Sequence, residues 1–94
     1  MERHSVTGEV DRFPPPGGWF YIIVPDEVSD ELAVFENRGF IPVTVTLETT
    51  TWETSLLPMG DGRHFLALNA KVRKAHDIDF GDEVTVEFEP REKP

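Results

Sequence analysis

Between residues 41 and 47 apolar and polar residues alternate without a break: Ile41, Val43, Val45 and Leu47 stand against Pro42, Thr44 and Thr46. A period of two among β-branched residues is the pattern of a strand with one buried face, and no helix shares it. Thr51 to Leu57 follows, with Trp52, Thr54 and Leu56 on one face, and Thr49-Thr50 is the expected turn, so the two runs read as a hairpin. Val84, Val86 and Phe88 alternate in the same way with Thr85, Glu87 and Glu89. His64 to Leu68 is a further strand behind the turn signal Pro58-Met59-Gly60-Asp61-Gly62. Pro42 has no N–H for a ladder, which favours an edge or the start of a strand.

The first third of the chain is punctuated by Pro14-Pro15-Pro16-Gly17-Gly18. Before it lies an opening strand over roughly Ser5 to Phe13. After it, Trp19 to Val24 is unbroken in aromatic and β-branched character, which predicts a strand covered on both faces. Pro25-Asp26-Glu27 reads as a helix start, with the carboxylates set against the positive end of the dipole. Val28, Leu32 and Phe35 then form one apolar stripe that packs on the sheet, and Gly39 is the expected stop. Asn69 is a good N-cap for a second short helix, Ala70 to His76, with Val72 and Ala75 facing one way and Lys71 and Lys74 another. Asp77 to Asp82 makes the final turn, and the charged tail over residues 90–94 is expected to fray. Many short strands with turns about every ten residues describe a barrel or sandwich, and closure suits a core this small. The expectation is one mainly β domain over residues 1–94, a small closed barrel of six to seven strands with two short α-helices.

Several function classes are disfavoured at once. With no cysteine there is no disulfide framework, thiolate zinc site or cysteine nucleophile, and a reducing cytoplasm fits best. MERHSVTGEV has no apolar run behind its charges, so neither a signal peptide nor an anchor is expected. The longest apolar run, Trp19 to Val24, is far short of the ~20 residues of a membrane helix, and no membrane association is expected. The formal charge of −9 disfavours attraction to phosphate backbones or anionic lipid.

A set of words occurs in order along the chain: Gly18-Trp19-Phe20, Val24-Pro25-x-Glu27-Val28, Pro42-Val43-Thr44-Val45, Thr54 to Leu66, Lys71-Val72-Arg73-Lys74-Ala75 and Gly81-Asp82-x-Val84. Together they resemble the family catalogued as domain of unknown function 1905, over nearly the whole chain. The resemblance implies a double-split β-barrel, an architecture shared with the swapped-hairpin transition-state regulators of bacteria, and implies no established activity. In longer members the domain precedes a helical segment of the bacteriocin-protection type. The sequence ends at Pro94, before such a segment, so any function belonging to it is out of reach here.

The local charge pattern is the feature closest to chemistry. From Arg63 to His76 there is no Asp or Glu, and Arg63, Lys71, Arg73 and Lys74 give this stretch +4, which leaves −13 on the remainder. Lys71 and Arg73 fall in the first turn of the expected helix, where the dipole disfavours cations, and such placement invites a functional explanation. Arg63, His64, Lys71, Arg73 and Lys74, with Trp52, form the candidate ligand-binding set, suited to a carboxylate or phosphate. The plain alternative is that these cations pair with surface carboxylates. Trp19, Phe20, Tyr21 and Trp52 could line a pocket at the barrel mouth, although aromatics on small-barrel strands are usually core. His64 with Asp61 or Ser55 could act as base, orienter and nucleophile, but there is no nucleophile elbow and no second acid–base group. His4, His64 and His76 sit in separate elements without metal-ligand spacing, so no metal and no cofactor are expected. The sequence leaves the function unknown. Its leading expectation is a non-catalytic binding module for an anionic small molecule or an acidic peptide. The alternatives are a small hydrolase-like enzyme using His64 and, by fold analogy, a dimeric nucleic-acid-binding regulator. Monomer and homodimer are both open.

Overall fold

The computed structural model describes residues 3–91. The chain runs β1 (His4–Glu9), β2 (Asp11–Arg12), β3 (Phe20–Ile23), α1 (Asp26–Leu32) with a 3₁₀ turn (Ala33–Phe35), β4 (Ile41–Leu47), β5 (Thr50–Pro58), β6 (His64–Leu68), α2 (Ala70–Ala75) and β7 (Glu83–Pro90). All pairings are antiparallel, in the order β1-β7-β4-β5-β6-β3-β2. The two ends of this order, β1 and β2, are one strand bent at a single residue, the buried Val10. The bend is fixed by two hydrogen bonds: Val10 N donates to Asp82 O, and Gly81 N donates to Val10 O. The sheet therefore returns on itself as a nearly closed barrel, and whether the bent strand counts as one or two decides between six strands and seven. The second place where it splits is β5, whose residues up to Leu56 pair with β4 while Leu57 and Pro58 pair with β6. Gly8 sits at the seam, where an added Cβ would lie 3.3 Å from Ile22 Cβ.

The inward set is aliphatic apart from Phe88. Val6, Ile22, Val43, Val45, Leu56 and Phe88 are among the side chains that are essentially inaccessible to water. β4 alternates buried and half-buried residues along its whole length, as its sequence predicts. β3 is covered on both faces: Ile22 points into the barrel, and outside it Tyr21 stacks on Phe13 at 4.1 Å between centroids, with Phe65 edge-on to both. α1 lays Leu32 into the core with Val28 and Phe35 half-buried, so the expected stripe is present. No helix among the described residues is long and apolar enough to cross a membrane.

Several local expectations are corrected. Pro25 is the N-cap of α1 rather than part of its first turn, and its carbonyl accepts from Val28 N and Ser29 N. The 3₁₀ turn ends at Phe35, so Gly39 does not stop the helix. Instead Arg38 (φ 57°) and Gly39 (φ 89°) are the central pair of a tight turn in which Asn37 and Phe40 exchange both backbone hydrogen bonds. The hairpin turn is Glu48-Thr49, one residue earlier than expected, because Leu47 pairs with Thr50 and Glu48 accepts φ 53°. Pro42 lies at the start of β4, one of the two positions expected of it, and β4 is an interior strand. Ala75 is exposed, leaving Val72 as the buried residue of α2. Pro90 is a buried member of β7, and Arg91 donates its backbone N–H to Pro42 O and an η nitrogen to Thr54 O. The rest of the expected frayed tail, residues 92–94, lies outside the described residues.

Candidate functional site

β6 decides how the candidate residues are distributed. Arg63 and His64 stand at its start and α2 follows its end, so the two groups are separated by roughly 13 Å of extended chain. The basic stretch is thus divided into two places with different chemistry.

At the near end, Arg63 is closed onto its own turn. Its ε and η nitrogens donate to Asp61 Oδ2 at 3.0 and 2.8 Å, and its backbone N donates to Asp61 Oδ1. These bonds hold the Asp61 carboxyl below the usual carboxylate range, and the same carboxylate raises Arg63 further. His64 turns inward and is buried. Its Nε2 lies 3.2 Å from Glu36 Oε2 and 3.1 Å from Gly39 O, both acceptors, so Nε2 carries the hydrogen. In the neutral ring Nδ1 then accepts from the Ser29 hydroxyl at 3.1 Å. The partners of His64 are therefore Ser29 and Glu36, not Asp61 or Ser55. Serine, imidazole and carboxylate are connected in the order a hydrolytic triad uses, yet Ser29 is only 3% exposed and His64 4%. The arrangement ties α1 and the turn behind it to β6.

At the far end, a cleft of about 410 Å³ opens between the proline-rich turn and α2. It is lined by Gly17, Gly18, Trp19 and Phe20, by residues 67–70 and by Arg73. The turn is held by Phe13 N donating to Trp19 O and by Gly18 N to Pro14 O. Trp19 remains 54% exposed at the rim. Arg73 is fixed twice: its Nε donates to Leu68 O at 3.0 Å, and its guanidinium lies 4.0 Å over the Phe20 ring. Arg12 is over the same ring at 5.7 Å. Among the described residues no carboxylate forms an ion pair with Arg12, Lys71, Arg73 or Lys74, whereas Arg3, Arg63 and Arg91 are paired. Lys71 and Lys74 are exposed on α2. In a helix of only six residues Arg73 and Lys74 belong to the last turn, where the dipole favours them, so the unfavourable placement expected for Arg73 does not arise. Asn69 caps the helix as expected, accepting from Val72 N at 2.8 Å. Trp52, half-buried on β5, packs against the core and lines neither of the clefts described here.

A larger cleft of about 730 Å³ lies at the other end of α2, and its walls carry Glu48, Asp77, Asp82, Glu83 and Glu87. His76 lines it with Nε2 2.6 Å from Thr50 Oγ1. Asp77, in a left-handed conformation at φ 55°, closes α2 there, with Ile78 N donating to Arg73 O. Its acidic residues come from separate turns and strands, and nothing in their spacing announces that they converge. No group of three or more His, Asp or Glu among the described residues is arranged to hold a metal ion.

No curated protein matches the sequence. A family model described as "Domain of unknown function (DUF1905)" matches residues 7–88 of the 94, from within the bent first strand to within the last. The split barrel and the ordered words that run through it agree with that match: the chain belongs to the DUF1905 family.

Proposed function

We propose that the domain is a non-catalytic binding module that takes a small anionic ligand in the cleft between Trp19 and Arg73. One observation carries the reading: Arg73 is held by Phe20 and Leu68 in a chain of net charge −9, faces a cleft, and has no carboxylate partner among the described residues. Unpaired cations with so many carboxylates available elsewhere are what an anion site requires. The site is narrower than the candidate set. It keeps Arg73, with Lys71 and Lys74 as flanking charge, and leaves Arg63, His64 and Trp52 to structural roles. The absence of cysteine fits a cytoplasmic setting.

The test is a thermal-shift titration with small phosphates and carboxylates. A ligand that binds the folded state raises the midpoint by mass action. The expected result is a concentration-dependent rise that Arg73→Gln abolishes and Lys71→Glu reduces, while Arg63→Gln leaves it unchanged. A rise untouched by Arg73→Gln would move the site elsewhere.

A hydrolytic reading would rest on the Ser29–His64–Glu36 chain. Burial of both the hydroxyl and the imidazole argues against it, because a substrate carbonyl must reach the nucleophile. A nucleic-acid reading must contend with the acidic cleft on the far side of α2.

A further inference from the structure

We propose that the ligand of the Trp19–Arg73 cleft is an aromatic anion: a flat ring that stacks on Trp19 and carries an acidic group held by the Arg73 guanidinium. The inference deepens the anion-binding reading and rests on it. Three observations point to a ring. Trp19 is 54% exposed at the rim of a concavity, and two backbone hydrogen bonds fix the turn that carries it. Beside it Gly17 and Gly18 carry no side chain, and the space where a Cβ would stand is open at both. The cleft is also lined by Ala67, Leu68 and Ala70, apolar and mostly small. A slot with one indole rim and a short aliphatic wall favours a planar molecule over a branched one.

The charge requirement comes from Arg73. Its ε nitrogen and one face are already engaged by Leu68 O and Phe20, which leaves the η nitrogens to present a fixed pair of donors. Such a fork matches a carboxylate or a phosphate, and both chemistries meet the description when joined to a ring. At about 410 Å³ the cleft lies in the ordinary range for a small-molecule site.

Four probes separate the two requirements, with intrinsic tryptophan fluorescence and the unfolding midpoint as readouts. Adenosine 5′-monophosphate and 1-naphthoate carry ring and charge, adenosine carries the ring alone, and inorganic phosphate the charge alone. The expected result is that at least one aromatic anion binds tenfold or more tightly than both single-feature probes. Trp19→Ala should weaken that binding by about tenfold, the scale of one aromatic stack, and Trp19→Phe should restore most of it. Because Trp19 is exposed, neither change should lower the unfolding midpoint appreciably. Arg73→Gln should weaken the aromatic anions and phosphate together. If phosphate binds as well as the aromatic anions and Trp19→Ala changes nothing, the ring is overturned while the anion site stands. If neither aromatic anion binds more tightly than adenosine and no probe binds in an Arg73-dependent way, both readings fall.

Discussion

Arg73 is ordered before any ligand arrives. Fixing a free arginine side chain costs up to about 2 kcal/mol of rotamer entropy, and the contacts to Leu68 and Phe20 place most of that cost in folding rather than in binding. Arg63 is the opposite case, since Asp61 occupies it. That pair has a pH signature. The folded-state value of Asp61 is lowered by Arg63, so its contribution to stability is present above the ordinary carboxylate range and is lost as pH falls through the lowered value. The midpoint difference between the wild type and Asp61→Asn should therefore be small, visible above about pH 4, and vanishing in stronger acid. Being exposed, the pair should also weaken in high salt. A difference that persists at the lowest pH would mean the turn depends on Asp61 for some other reason. The excess of cations between Arg63 and His76 is plain in the sequence, but adjacency in sequence is not proximity when five of those residues form an extended strand. The identity of His64's partners was less legible still, because Ser29 lies 35 positions away and only the docking of α1 brings it near.

Elements show where pattern suffices and where it does not. The alternation in β4 and β7, the stripe of α1 and the Asn69 cap are local consequences of spacing, and the structure reproduces them. Turns are read less well, since a glycine with positive φ can serve several geometries. Gly39 resembles a helix stop, yet it pairs with Arg38 in a turn that also offers its carbonyl to His64. That carbonyl, Glu36 and Ser29 together make His64 the fastening between α1 and the barrel. Ser29→Ala should strip Nδ1 of its one hydrogen-bond partner among the described residues, in a buried place, and lower stability by about 1–3 kcal/mol, measured by denaturant unfolding. Ligand binding at the Trp19 cleft should survive the change. Loss of binding in a protein that remains folded would tie α1 to the site.

For the whole molecule, closure is the governing event. The radius of gyration, 12.6 Å, is close to the ~12 Å expected of a compact chain of this length. At the seam β1 passes close to β3. Gly8→Val adds two methyl groups beyond a Cβ that already meets Ile22 at 3.3 Å, and should destabilise the fold by about 1–3 kcal/mol in equilibrium unfolding. An unchanged midpoint would mean the seam can open at little cost. The barrel class is legible from strand number and chain length, whereas closure through one bent strand at Val10 is not, because valine carries no local signal for a bend. The pairing of His4 with Phe88 and Glu9 with Glu83 also sets an order in time. On the ribosome the first strand is made before any of its neighbours in β7 exist. β4 and β5 can form their hairpin early, but the amino-terminal segment waits for the last residues to emerge, with Val6 unsheltered until they do. A chain stalled short of residue 83 would hold a sheet in which neither β1 nor β4 has β7 beside it, which makes the closing strand the point at which a nascent copy is most open to chaperones or to pairing with another copy of itself.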